Sequence, residues 1–198
     1  MKVAGIVLAA GRSTRMGRNK LLLRFEGESL VRRAARTALQ AGLDPVLVVV
    51  GHEAEQVGAE LAGLPCVAVP NGRHDLGMNT SLDAGVGAVP ADADAAVVVL
   101  ADMPLVTADM LRTLVARHQA TGAALVASRY GAAVAPPALY GRAVFHELGG
   151  GRGDGRGREL LRRRQEEVAW VDWPAAALAD VDEPGDLPRA LPRDAERP

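Results

Sequence analysis

Leu8-Ala-Ala-Gly-Arg-Ser-Thr-Arg-Met-Gly-Arg-Asn-Lys-Leu-Leu-Leu23 follows directly on the apolar residues Val3, Ile6 and Val7. The stretch reads as a strand that runs into a glycine-containing loop loaded with positive charge. Arg12, Arg15, Arg18, Lys20 and Arg24 fall within the first twenty-five residues, and no Asp or Glu does. The whole chain carries 23 basic and 24 acidic side chains, so the imbalance is local. It falls where an open α/β sheet binds its ligands, past the carboxyl end of a strand. Gly11 and Gly17 let the backbone turn and approach a ligand closely. Loop N–H groups beside fixed cations suit a polyphosphate.

Two familiar phosphate motifs are absent. A P-loop needs four residues between its glycines and then Lys-Ser/Thr; here five separate Gly11 from Gly17, and Lys20 comes three later. The dinucleotide fingerprint G-x-G-x-x-G is not supplied by Gly11-Arg12-Ser13. The loop is either a phosphate site of another kind or a solvated connection. The apolar strand before it and the missing acids favour phosphate.

Length and composition narrow the rest. A chain of 198 residues suits one domain with a real core. Hydrophobic residues make up 48% but aromatics only 3%, so the core is Val, Leu and Ala. The longest apolar run, Ala95 to Ala101, is far too short to span a membrane. No long apolar segment follows Lys2, so no signal peptide is expected. Cys66 is the single cysteine, which excludes an internal disulfide and points to a reducing, cytoplasmic compartment; its apolar setting marks it as a buried structural residue. A net charge of −1, few aromatics and no zinc spacing argue against nucleic acid.

Strands alternate with helices. Pro45 to Val50 and Ala95 to Leu100 are continuous apolar runs, as in central parallel strands covered on both faces. Cys66 to Val69 and Ala124 to Ala127 are weaker strands. Leu30, Val31, Ala34, Ala35, Ala38 and Leu39 recur on one helical face, with Ser29 as N-cap and Gly42 as the stop. Leu111, Leu114 and Val115 mark another helix, capped by Thr107 with Asp109 in its first turn. This β-α repetition implies a mostly parallel sheet with right-handed crossovers. Gly149 to Gly157 reads as a surface loop, with a helix from Arg158. One domain is expected over residues 1–187, then a flexible tail over 188–198.

Asp102 is the strongest candidate carboxylate. It follows the buried strand in Leu-Ala-Asp-Met-Pro, and Pro104 fixes the turn. A carboxylate there suits Mg²⁺, which takes one or two carboxylates plus substrate phosphates; a turn aspartate is the bland alternative. Asp180 and Asp182 alternate on an extended segment and point to opposite faces. At most one shares the metal, and Asp182 is preferred over a helix-capping role. Gly77-Met-Asn-Thr-Ser-Leu82 reads as a loop feeding a helix N-terminus, where Thr80 and Ser81 can cap and backbone amides can face a ligand. Arg152, Arg156 and Arg158, with Asp154, form a glycine-rich basic stretch, either solvated or a second anion site. His52, His74, His118 and His146 have no metal-ligand spacing, and His118 is expected at the surface. No G-x-S-x-G occurs, so acyl transfer has no support.

These segments together resemble the MobA-like nucleotidyltransferases. Leu8-Ala-Ala-Gly-Arg-Ser-Thr-Arg-Met-Gly17 with Lys20 is similar to the family's A-[AG]-G-x-S-x-R-M-G and lysine; Leu100-Ala-Asp-Met-Pro104 resembles its metal-binding segment; Asp180-Val-Asp-Glu-Pro-Gly-Asp-Leu187 resembles its closing segment. Ala9-Ala10-Gly11 is similar to the molybdenum cofactor cytidylyltransferase branch, where the guanylyltransferase branch has Ala-Gly-Gly. Gly77-Met-Asn-Thr-Ser-Leu82 resembles that branch's G-M-S-x-S-L, and Gly153-Asp154 with Arg158 its G-D-x-G-A-R. Two segments depart: Val134-Ala-Pro-Pro-Ala-Leu139 lacks Gly-His-Pro or Gly-Asn-Pro, and Gly153 to Arg158 has glycine and arginine transposed.

The resemblance implies a single-domain Rossmann-like α/β fold, with helices on both faces of the sheet. It implies transfer of CMP from CTP to the phosphate of molybdopterin or its molybdenum form, releasing pyrophosphate with Mg²⁺ as cofactor. Arg15, Lys20 and Asp102 would be catalytic, and Asp102 with Asp182 would hold the metal. Leu8, Ala9, Ala10, Gly11, Arg12, Ser13, Lys20 and Ser81 would bind the nucleotide; Asn79, Arg156 and Arg158 would face the acceptor. A molybdoenzyme receiving the cofactor is the partner so implied; neither nucleic acid nor membrane is. Two alternatives stay open: the same fold acting on another phosphorylated small molecule such as a sugar phosphate, and a non-catalytic molybdenum-cofactor chaperone.

Overall fold

The computed structural model describes residues 1–13, 19–149 and 153–179. Arg15, Arg18, Arg152, Asp180, Asp182 and the expected tail 188–198 lie outside the described residues. The strands are β1 (Val3–Ala9), β2 (Arg24–Phe25), β3 (Glu28–Ser29), β4 (Val46–Val50), β5 (Val67–Pro70), β6 (Ala95–Leu100), β7 (Leu125–Tyr130), β8 (Ala133–Gly141) and β9 (Val168–Trp173). The helices are α1 (Leu30–Gln40), α2 (Ala54–Glu60), α3 (Met78–Gly87), α4 (Ala108–Thr121), α5 (Phe145–Leu148) and α6 (Arg156–Arg163). β2 and β3 pair as a small hairpin; the other strands form one sheet in the order β5-β4-β1-β6-β8-β7-β9.

β1 runs parallel to both β4 and β6, β4 to β5, and β7 to β9, while β8 is antiparallel to β6 and β7. The sheet is mostly parallel, as expected. After β1 the chain builds outward through β4 and β5, then returns to lay β6 on the other side of β1. That reversal opens a crevice at the carboxyl ends of β1 and β6, the place where such sheets take ligands.

Both faces of the sheet are covered, which explains the unbroken apolar runs. Val3, Val7 and Ala9 of β1 join Val46, Val48, Val97 and Val99 under α1, α2 and α4. Ala4, Ile6 and then Ala10 face the other way, with Leu47, Val49 and Val98 under α3, α5 and α6. This alternation decides the site, because it sends neighbouring residues of the first loop to opposite sides. α3 packs so closely on β1 that a Cβ at Gly85 would lie 2.5 Å from Ile6 Cγ2.

The helix ends follow their caps. Ser29 Oγ accepts from the Arg32 N–H at 3.4 Å, and Gly42 takes the left-handed φ of 80° just past α1. Thr107 Oγ1 accepts from the Met110 N–H at 3.3 Å at the start of α4. Some boundaries differ from the sequence expectation. β5 begins at Val67 and β7 at Leu125, each one residue later, and α6 begins at Arg156, inside the expected glycine loop. Cys66 is half-buried against the α1–α2 side, and that burial pushes its thiol up, away from reactivity. His118 is partly buried, its Nδ1 paired with the Ala123 carbonyl at 2.8 Å, and is not a free surface histidine.

Candidate functional site

The chain leaves β1 at Ala10 and passes Gly11, Arg12 and Ser13 over the crevice. Ser13 takes a left-handed φ of 51°, and its Oγ accepts from the Lys20 N–H at 3.0 Å. That bond ties the far end of the loop to its start. Lys20 opens a short 3₁₀ turn to Leu22, held by Asn19 Oδ1 accepting from the Leu21 N–H at 3.1 Å. The backbone of Lys20 is thereby fixed above the crevice.

Opposite it stands Asp102, two residues past β6. Lys20 Nζ lies 2.6 Å from Asp102 Oδ2, with their side chains only 15% and 19% exposed. An ion pair this enclosed is screened much less than a surface bridge, and it joins the two sides of the crevice. The pair sits in a cavity of about 570 Å³, to which Leu8, Ala10, Gly11, Arg12, Ser13 and Ser81 also contribute. The structure thus brings together every expected nucleotide-binding residue but one. Ala9 does not line the cavity; its side chain is buried with Val7 and Val99 on the opposite face.

Thr80 and Ser81 do not cap α3. Gly77, with a φ of 106°, precedes the helix, and both hydroxyls turn inward. Asn71 Nδ2 donates to Thr80 Oγ1 at 2.9 Å and to Ser81 Oγ at 3.0 Å. Thr80 is a structural brace whose hydroxyl also reaches the Arg73 and Gly77 carbonyls, whereas Ser81 still borders the cavity.

A second cavity, of about 230 Å³, adjoins the first along Leu8, Met78, Leu100 and Asp154. Much of its wall is apolar, from Leu82, Val98, Val134, Pro136 and Leu161. Asn79, Arg156 and Arg158 all border it, but they are used differently. Asn79 Oδ1 accepts from the Arg156 N–H at 3.0 Å, and the Asn79 N–H donates to the Gly153 carbonyl at 2.9 Å. The Arg156 guanidinium reaches the Gly149 carbonyl. Asn79 and Arg156 therefore build the wall, and Arg158 is exposed at the rim. The Met78 N–H donates to Asp154 Oδ1 at 2.5 Å, and the Gly153 N–H to the Leu76 carbonyl at 2.8 Å. Together these bonds clasp residues 153–156 onto the start of α3.

The sequence alone does not mark His74, Asp75 or Tyr140 as site residues, yet each borders one of the cavities. His74 packs beside Ala10 at Gly51, where a Cβ would lie 2.6 Å from His74 Cβ and 2.8 Å from Ala10 Cβ. Its Nδ1 is buried with no hydrogen-bond partner among the described residues. Local spacing carries no signal for these three: His74 and Asp75 come from one short turn before α3, and Tyr140 from β8, far along the chain. Asp154, which borders both cavities, is signalled in the sequence through the glycine-rich basic stretch and the Gly153-Asp154 pair.

Among the described residues no group of three or more His, Cys, Asp or Glu side chains is arranged around a common metal position. The chemistry nevertheless fits a divalent cation. Asp102 faces a cavity suited to phosphates, and the Lys20 ammonium beside it occupies the kind of position a cation takes. One carboxylate with substrate phosphates is an ordinary Mg²⁺ arrangement.

The MobA-like NTP transferase domain model matches residues 5–168. The purine catabolism protein PucB of Bacillus subtilis strain 168 is 34% identical over 192 residues, covering 91% of each chain. The bifunctional protein GlmU of Bacillus thuringiensis strain Al Hakam is 33% identical over 147 residues; the match covers 73% of this chain but 31% of that protein. Rv0371c from Mycobacterium tuberculosis H37Rv superposes with a TM-score of 0.84 at 29% identity, covering 96% of this chain and 97% of that one. Its manganese complex superposes with a TM-score of 0.83, consistent with a divalent metal ion in such proteins.

Proposed function

Because the chain belongs to the MobA-like NTP transferase family and is a nucleotidyltransferase, we propose that it transfers CMP from CTP to the terminal phosphate of molybdopterin or its molybdenum form. The observation that carries this is the pairing of the two cavities. One of nucleotide size, which holds Arg12 and the Lys20–Asp102 pair, opens directly onto a largely apolar one rimmed by arginine. The Ala10 methyl group beside His74 narrows the first cavity, in favour of a pyrimidine over a purine.

In the proposed reaction an acceptor phosphate oxygen attacks the α-phosphorus in line. The new P–O bond forms as the bond to the bridging oxygen breaks, and pyrophosphate leaves with that electron pair. Arg12 and the backbone from Ala10 to Ser13 hold the triphosphate. Lys20, with Arg15, stabilises the charge developing on the transferred and departing phosphates. A divalent ion, Mg²⁺ in this proposal, would supply charge neutralisation at the α-phosphate from Asp102, with Asp182 sharing it. Arg158 meets the acceptor phosphate, while Asn79 and Arg156 fix the wall along which it lies. No covalent enzyme intermediate is required, because positioning and electrostatics suffice.

The test is a nucleotide panel assayed for pyrophosphate with and without molybdopterin. CTP with molybdopterin and Mg²⁺ is expected to be the productive set; a preference for GTP overturns the assignment of the base. The departure at Val134 to Leu139, together with a relative named for purine catabolism, favours a second acceptor reading: another phosphorylated small molecule. Release of pyrophosphate with that acceptor and not with molybdopterin selects it.

A further inference from the structure

Resting on the acceptor side of that function, we propose that Tyr140, with Gly157 beside it, is a specificity-determining residue that selects an uncharged heterocyclic ring for the deep end of the acceptor. Tyr140 lies on β8 and borders the second cavity while only 4% exposed. Within the described residues its hydroxyl forms no hydrogen bond, although Tyr130 on the neighbouring strand donates to the Pro136 carbonyl at 3.0 Å. The hydroxyl is not among the fully enclosed unpartnered atoms, so it keeps contact with the cavity, and a ligand edge that pairs with it takes the place of water there.

Gly157 makes the arrangement possible. A Cβ there would lie 2.7 Å from Tyr140 Oη and 3.9 Å from Leu82 Cδ2. The phenol thus stands in space that any other residue at 157 would claim. Burial also holds the phenol well above its ordinary pKa, so it stays a neutral donor and acceptor across the working range.

The surroundings set the ligand class. Leu82, Val98 and Leu161 offer no polar side-chain partner, so a sugar ring would bury several hydroxyls against them for one hydrogen bond. An anionic group at the deep end would face no cation held for it, since Arg156 reaches the Gly149 carbonyl and Arg158 is at the rim, and the carboxylate that borders the cavity, Asp154, accepts from the Met78 N–H on the side shared with the first cavity. A heterocycle with apolar faces and one hydrogen-bonding edge meets all these conditions. At about 230 Å³ the cavity is below the ~300–1,000 Å³ of a complete small-ligand site, so it takes the ring and leaves the phosphate at the mouth.

The probe is 6-hydroxymethylpterin, a neutral fused heterocycle, titrated by its own fluorescence into the full chain, with glucose 1-phosphate as competitor. Wild type is expected to bind the pterin, and Tyr140→Phe to weaken it about tenfold, the loss of one buried hydrogen bond. Gly157→Ala is expected to weaken it at least as much by displacing the phenol. Glucose 1-phosphate is expected not to compete. Failure of folded wild type to bind the pterin, equal binding by Tyr140→Phe, or effective competition by the sugar phosphate overturns the proposal. Turnover separates this from the parent function. If CTP and molybdopterin react but Tyr140→Phe leaves the acceptor KM unchanged, the inference falls and the function stands. If no turnover occurs while pterin binding still depends on Tyr140, the ring site stands and the function falls.

Discussion

The two cavities share Leu8, Met78, Leu100 and Asp154 but are built from opposite materials. The larger is lined by loop backbone, Arg12, Lys20 and Asp102, around the carboxyl ends of parallel strands. The smaller is lined by aliphatic side chains, one phenol and a rim of arginine, on the antiparallel side of β6. In the proposed function, charge and main-chain amides of the larger cavity take the nucleoside triphosphate, while shape and the Tyr140 hydroxyl in the smaller one choose the acceptor. Nucleotide and acceptor then fall to different halves of the sheet, and substitutions in each half are expected to damage different kinetic constants.

Lys20→Ala gives the largest expected effect. In the proposed reaction its charge acts on the transition state, so turnover at saturating CTP is expected to fall by about a hundredfold or more, read as pyrophosphate release. The fold is expected to persist in thermal melting, because Lys20 lies at the crevice and belongs to neither core cluster of the sheet. Wild-type turnover in the folded variant removes Lys20 from the chemistry.

Asp102→Asn is expected to lower activity by roughly tenfold or more, with partial recovery as Mg²⁺ is raised. Asp182→Asn is expected to act more mildly and Asp180→Asn least; a larger effect at Asp180 reverses the choice between them. Gly51→Ala sharpens the comparison, since the added methyl collides with His74 and Ala10 in the first cavity only. The expected outcome is a CTP KM raised about tenfold with the acceptor KM unchanged, and about 1–3 kcal/mol lost in denaturant unfolding. The smallest effect is expected of Ala10→Gly, a few-fold shift of kcat/KM from CTP toward GTP. No shift breaks the link between the Ala10 methyl and base choice.

The halves also differ in how far their sequences reveal them. Val46–Val50 and Ala95–Leu100 are legible because burial on both faces leaves an unbroken apolar run. Asp102 and the loop over residues 11–13 are legible because each follows an apolar strand, and the carboxyl ends of parallel strands share one edge. β8 is not, since Pro136 and Pro137 sit inside it and proline argues against an internal strand. The pairing tolerates them because the β7–β8 register shifts between Ala127 and Arg129. β9 has no clean alternation, as it lies at the sheet edge with most of its residues half-buried. Asp154 meets Met78 across 76 residues of chain, a contact that no local pattern encodes.

In the proposed function, the clasp between the start of α3 and residues 153–156 would couple the two ligands. Met78 and Asp154 belong to both cavities, so the same hydrogen bonds hold the wall that each ligand rests against. A ligand that steadies this wall from one side lowers the ordering cost for the ligand on the other. By reciprocity the two must strengthen each other's binding by the same factor. Synergy of this kind would favour joint occupancy over a nucleotide bound alone, the state in which water is the attacking group.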